Sequence, residues 1–426
     1  MVRSTRKSLA QRSPVFVPLR LALVGACTGF VMRRGLRALF LPYGSARPLS
    51  VLPSFASVDH TNDLLTEKHG KLQKIFERVG EGEKPLMKGT ETIFFDDHGT
   101  MYATTEQGKL ITLTDMATDE STGKTTVKAT YIKDLGAGRP LSGKFWGDTL
   151  YIADSVLGLT RIQNVSNPHS KVEIVASTVM DQGKETRIRL ADDVAIGPQS
   201  GKVYFTDASE IYPERLKDKT WDVMDASRIE FLRGPSGRLL QYDPSTDEVT
   251  VLARDLYFAN GIAVAEDESY LVFVETFYSR VTKLYLQGEK QGTTEYLIDG
   301  HPSPAWFDGV DCAWQRHGAK SSLCYAVGTT PVLPLAKLIY QLPMPVQMIL
   351  RTLFMVIPKR LSPRAKPYAS IVILDPARSS TTGSYQGIVQ DPTGKDVATL
   401  TGITFHEGKL YLGTLHRDYI GVYSVE

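Results

Sequence analysis

Carboxylates are absent from the first 58 residues of this 426-residue chain: the first is Asp59, whereas nine basic residues, from Arg3 to Arg47, precede it. Cysteine is scarce. Three cysteines, with Cys27 in the acid-free leader, exclude a disulfide framework. Cys312 and Cys324 read as two buried free thiols, with a bridge across neighbouring antiparallel strands as the less favoured reading. No Gly-x-Ser-x-Gly elbow, phosphate-cradling loop, His-Glu-x-x-His or Cys-x-x-Cys occurs, so serine-hydrolase, nucleotide and structural-zinc readings lack support. A net charge of +2 lacks the basic surplus of a general nucleic-acid binder, and no nucleic-acid partner is expected. Long apolar runs are also missing. Residues 21–32 are uninterrupted but too short to span, and extension back to 15 takes in Pro18 and Arg20.

What is present is unevenly distributed. Without the leader, 40 basic groups face 47 acidic ones. Residues 331–370 hold six more basic residues (Lys337, Arg351, Lys359, Arg360, Arg364, Lys366) and no acid. An acidic body therefore carries two basic, apolar segments, 15–32 and 331–367, which is the pattern of a protein that touches an anionic lipid surface. The leader, 1–58, reads as a targeting or anchor segment with a short membrane-anchor-like helix. Arg33 and Arg34 stand where a secretory cleavage site needs small residues, yet a cleaved signal and an Arg-rich organelle transit peptide stay open beside the anchor. The expected location is membrane-associated in the secretory pathway, with a luminal or extracellular body; a mitochondrion or another organelle is the alternative. The sequon Asn164-Val165-Ser166 leans toward the first. In the insert, breaks at Pro343 and Pro345 predict two helices. They serve as an interfacial element, with Lys337, Arg351, Lys359 and Arg360 toward a bilayer, or as a lid.

From about Glu91 onward the chain repeats. Short β-type runs centred on Tyr102, Tyr151, Tyr204, Phe273, Tyr325 and Tyr411 follow one another at 46 to 69 residues once the insert is set aside. Each follows a turn or polar break, such as Asp97-His98-Gly99 or Glu407-Gly408. This spacing predicts an all-β fold, a six-bladed β-propeller over 59–426, in preference to a pair of β-sandwiches.

Within the repeats, the stretches GRPLSGKFWGDTLYIADSVLGLTRI, GKVYFTDASEIYP, GRLLQYDPSTDEVTVLARDLYFANGIAVAEDESYLVFVET and GKLYLGTLHRDYIGVYSV resemble successive blades of the strictosidine synthase-like family. The resemblance covers roughly 85–426. It implies a propeller shared with calcium-dependent hydrolases of the paraoxonase, regucalcin and gluconolactonase kind, whose catalytic Ca2+ is held by oxygens converging from several blades. Residue by residue, it implies Glu91 (in Gly89-Thr90-Glu91), Asp192 (in Ala191-Asp192-Asp193), Asn260 (before Gly261) and Asp308 (in Phe307-Asp308-Gly309) as metal ligands. Asp308 doubles as base or nucleophile, and His301 and His416 are candidates for acid–base work at the channel mouth. Asp192 stands where the family usually has Asn. The extra carboxylate predicts a raised pKa for at least one acid when no metal is bound. Residues 400–404 hold no acid where the plant amine–aldehyde condensing enzymes carry theirs, so Pictet–Spengler chemistry is not expected. The expected function is hydrolysis of a small ester or lactone, with a catalytically inactive binding propeller as the alternative.

Overall fold

The computed structural model describes residues 63–65, 71–299, 305–314, 322–357, 361, 366–415 and 417–425. The leader, His301 and His416 lie outside them. The fold is mostly β. Strands assemble into six four-stranded antiparallel meanders whose first strands are Ile93–Phe95, Pro140–Trp146, Ala191–Ile196, Ala259–Val264, Ala305–Cys312 and Gly402–His406. All six repeat markers fall on second strands, and these are buried nearly throughout. They read as continuous apolar runs because both faces are covered: Phe205 packs toward the second meander and Tyr204 toward the fourth.

Six apolar clusters fill the gaps between successive meanders, including the one between the last and the first, where Ile420 and Val422 meet Ile93 and Ile111. The first strands touch in cyclic order, third to fourth to fifth to sixth to first and on through the second. Polar latches cross the same seams. Asp193 Oδ2 accepts from Ile262 N at 2.8 Å, Asp311 Oδ2 from Phe405 N at 2.9 Å, and Thr404 donates to the Ile93 carbonyl at 2.5 Å.

The sixth meander takes its fourth strand from the other end of the chain. Leu72–Glu77 pairs antiparallel with Tyr419–Ser424, in register from Leu72 against Tyr423 to Phe76 against Tyr419. Sequence repeats do not reveal this strand, since it lies upstream of the first marker.

Three helices occur among the described residues. Helix α1, Val223–Arg233, begins where the Asp222 side chain accepts from Asp225 N; the sequence reading missed it. Helices α2, Pro334–Gln341, and α3, Met344–Val356, are the insert. The chain breaks at Leu342 and Pro343, while Pro345 sits in the first turn of α3, where its missing N–H costs nothing. Two sequence expectations are overturned. Arg351 is 1% exposed, so it faces the protein and not a bilayer. Cys312 and Cys324 are bridged: they stand directly opposite on the first two strands of the fifth meander, Cα atoms 3.9 Å apart, so the register brings the two sulfurs together. No described helix is long and apolar enough to cross a membrane.

Two outcomes are expected from this architecture. Ile75→Asp, at a site 1% exposed on the closing strand, buries an unpaired charge between first and last meanders, and should cost about 3 kcal/mol or more in urea melts; a loss under about 1 kcal/mol would mean that closure does not depend on this strand. Replacing Cys312 and Cys324 together by Ala should cost about 2–3 kcal/mol, the loop-closure value for a 12-residue separation, and added reductant should then leave the variant's melting temperature unchanged.

Candidate metal centre

The acids meet because of a backbone irregularity repeated from strand to strand. In the third meander Ala191 pairs with Asp207 and Val194 with Phe205, so one extra residue is squeezed in at Asp192-Asp193. The same bulge recurs at Asn260-Gly261 and at Asp308-Gly309. A bulge unpairs its residues and re-aims their side chains, here toward the ring's axis. Glu91 precedes the short first strand of the first meander and is fixed by its neighbours: Thr414 N donates to the Thr90 carbonyl at 2.9 Å, and Arg139 Nη2 to that of Gly89 at 2.9 Å.

Close approach of the first strands demands glycine. A Cβ on Gly261 would meet Val310 N at 2.3 Å, and one on Gly402 would meet the Glu91 carbonyl oxygen at 2.1 Å. With these contacts in place, one carboxylate oxygen each from Glu91, Asp192 and Asp308 lies within 4.8 Å of the others. Asn260, 4% exposed, lines the same small cavity of about 10 Å³, with Gly309, Thr401 and Ile403. The Asn260 amide donates to Thr276 Oγ1 at 3.3 Å and also bonds Asp308.

Electrostatics at the centre are unbalanced. Burial, then the neighbouring Asp308, holds the Glu91 carboxyl well above the ordinary carboxylate range; Arg139, buried beside it, pulls the other way. Burial followed by Glu91 does the same to Asp192, and burial followed by Asp192 to Asp308. All three acids are raised, in keeping with the expectation of at least one. Glu91 Oε2 and Asp308 Oδ1 are buried without a hydrogen-bond partner. Asp193, next to Asp192, is satisfied differently: it accepts from Ile262 N and Val194 N and bonds Ser142. Sequence cannot tell these two adjacent acids apart by type; the bulge sends one to the axis and the other to the seam. Arg139 was also missed, and its only sequence cue is its place just ahead of a strand.

The described residues place Glu91, Asp192, Asn260 and Asp308 together; His301 and His416 are outside them. Above the centre, two residues up the strands from Asp192, Asn260 and Asp308, stand Leu190, Phe258 and Trp306, joined in one apolar cluster with Phe277, Phe231 of α1 and Tyr340 of α2. Phe231 stacks edge-on or tilted with Trp306 at 5.3 Å, Phe277 at 5.2 Å and Tyr340 at 6.0 Å. The centre is thus roofed by aromatic side chains from the ring and the helices.

The family model for strictosidine synthase matches residues 192–289, which carry Asp192 and Asn260. The chain is 29% identical to protein strictosidine synthase-like 3 of Arabidopsis thaliana over 69% of each chain. It is 26% identical to the adipocyte plasma membrane-associated protein of Salmo salar over 75% of this chain and 72% of that one. Among solved structures, the calcium-binding protein regucalcin from Agrobacterium tumefaciens aligns with a TM-score of 0.45 at 13% identity, covering 82% of this chain and 94% of its own. A luciferin-regenerating enzyme aligns at 0.47 and 10%, covering 82% and 95%. A strictosidine synthase domain over residues 192–289 and relatives among the strictosidine synthase-like and adipocyte plasma membrane-associated proteins are thus what the chain is similar to.

Proposed function

We propose that this is a six-bladed propeller, formed from 59 onward with the insert at 331–367, that binds Ca2+ on its axis and hydrolyses small esters or lactones. One observation carries the reading: three carboxylates from three meanders converge in a buried space, with oxygens of Glu91 and Asp308 left unpartnered. Buried acids that repel one another and lack donors are costly unless a cation joins them. The donors are all hard oxygens, which suits Ca2+ among divalent ions. Glu91, Asp192, Asp308 and the Asn260 side-chain oxygen would hold it. Bound there, the ion would polarise an ester or lactone carbonyl.

The chain's own groups do the rest. Asp308 is the acid that Asn260 orients by a hydrogen bond and that keeps some exposure, so it is the one placed to attack a carbonyl or take a proton from water. Arg139 balances part of the negative charge and pins the Glu91 loop through Gly89. Residues 400–404 hold no acid where condensing relatives carry theirs, which favours hydrolysis over amine–aldehyde condensation. A second reading, a propeller without catalysis that serves as a binding module, is favoured by the narrow cavity, which has room for about one water and none for a substrate. Membrane association is supported by the names of the animal relatives and by the leader. A luminal or extracellular body is supported by the disulfide and by an exposed Asn164.

Calcium should raise the melting temperature, by an amount equivalent to about 2.7 kcal/mol at a hundredfold excess over Kd, and Glu91→Gln should remove most of that rise. The pH dependence follows from the raised acids. The metal-free fold retains protons that the unfolded chain has released, so its stability falls as pH climbs from the ordinary carboxylate range through the raised values. Calcium competes with those protons, and its stabilising effect should grow as pH rises above the ordinary carboxylate range; an effect independent of pH would dissociate the ion from these acids. For catalysis, hydrolysis across a panel of aryl esters and lactones should vanish with chelator and fall about 10²-fold or more in Asp308→Asn. Chelator-resistant turnover would remove calcium from the reaction, and no turnover on any substrate with calcium stabilisation intact would leave the binding module.

A further inference from the structure

Helix α3 is built inside out. Gln347 and Arg351, one turn apart, are 0% and 1% exposed, and Met355 continues that inner face. On the other side Val346, Ile349 and Leu353 are 43%, 61% and 54% exposed, with Leu338 of α2 at 55% beside them. A surface helix in water normally turns these faces the other way. Four large exposed apolar side chains on one helical hairpin are a patch that calls for an occupant.

The inner side of the hairpin is the roof of the metal centre. Tyr340 of α2 is 3% exposed, packs edge-on against Phe231, and its hydroxyl lies 3.4 Å from that of Tyr257. Met355 of α3 packs with Leu232 of α1, and Arg228 of α1 reaches the Phe354 carbonyl at 3.4 Å. Two donors under this roof, Trp306 Nε1 and Gln347 Nε2, are buried without acceptors. Polar groups left unsatisfied weaken the seam they lie in. The cavity at the acids has room for about one water and none for a substrate.

Resting on the calcium-hydrolase reading, we infer that α2–α3 is a lid whose outward apolar face docks on an anionic lipid surface, and that docking lifts Tyr340 off the aromatic ring to open the metal centre. The occupant is argued from charge. The stretch 331–370 holds six basic residues and no acid. An apolar outer face within a basic, acid-free stretch of sequence fits a bilayer carrying anionic headgroups. Once docked, the lid exchanges exposure of Val346, Ile349 and Leu353 to water for burial among acyl chains, which offsets the loss of its contacts with α1.

The test uses the full chain on vesicles, read by hydrogen–deuterium exchange, so that the leader's own attachment is common to every arm. On vesicles of phosphatidylcholine with roughly a third phosphatidylserine, peptides under the lid, 223–233 and 305–310, should exchange about tenfold faster or more than on phosphatidylcholine alone, while 346–353 becomes protected. Ile349→Glu with Leu353→Glu should cancel both changes and leave the calcium-induced rise in melting temperature as it was. Equal exchange on the two vesicles would overturn the lid, as it would if the leader or a second copy of the chain covered this face. So would unchanged opening in the double variant. Lid opening with no turnover on any ester or lactone keeps the lid and retires the hydrolase; turnover with no opening does the reverse.

Discussion

The pairing of Leu72–Glu77 with Tyr419–Ser424 is the constraint on which the other features rest. Each meander has an apolar cluster on both faces, so the sixth can be covered only if it also packs against the first. A hydrogen-bonded strand from the opposite terminus fixes that meeting by joining residues nearly 350 positions apart in the sequence. Loop closure over such a distance is costly in entropy, although the cost grows only logarithmically. It is repaid once, and cooperatively, because closure completes a seam and leaves no meander with an uncovered face. The axis exists only after this step. Glu91 comes from the first meander and Asp308 from the fifth, and they approach only across the sixth, whose Gly402 admits the Glu91 carbonyl.

The metal centre spends some of the stability gained in this way. Three buried carboxylates and a fourth, Asp193, stand close together with Arg139 as a buried counter-charge. Such a cluster is unfavourable in an apolar interior, and without a cation it survives by holding protons. The surrounding frame is correspondingly over-determined: the bulges, the glycine contacts and the Asp193 and Asp311 latches fix the first strands independently of the acids. The ring is therefore rigid where a cation needs preset ligands.

The fold has two kinds of interface. Seams between meanders are apolar and bonded at both ends, whereas the roof meets the ring through stacked aromatics and a few polar contacts. Local stability is expected to follow the same order, with the ring opening last and the helices first. Arg351 shows how far the roof departs from a soluble helix, because a guanidinium occupies the inner face while leucine and isoleucine face out.

Strand positions were legible in the sequence because a strand buried on both faces writes a continuous apolar run ending in a turn, and six such runs recur. The insert's two helices were legible for a similar reason, as prolines punctuate apolar segments. The oxygen donors Glu91, Asp192, Asn260 and Asp308 came from a resemblance, since residue type and local spacing alone describe them as strand-end acids and a turn. Other features are decided by contacts between remote segments. Which of Asp192 and Asp193 faces the axis depends on a bulge; whether Cys312 and Cys324 join depends on register; α1 forms with a weak apolar pattern because Ser209 and Ser236, brought in by tertiary packing, satisfy its buried Glu230. The inward turn of Arg351 and the strand that closes the ring belong with these. By itself the sequence determined the strands, their repetition and the types of side chain at their ends. Only the closed tertiary structure decided which of those side chains meet, because a strand's period of two records which face is buried but not the distant partner that buries it.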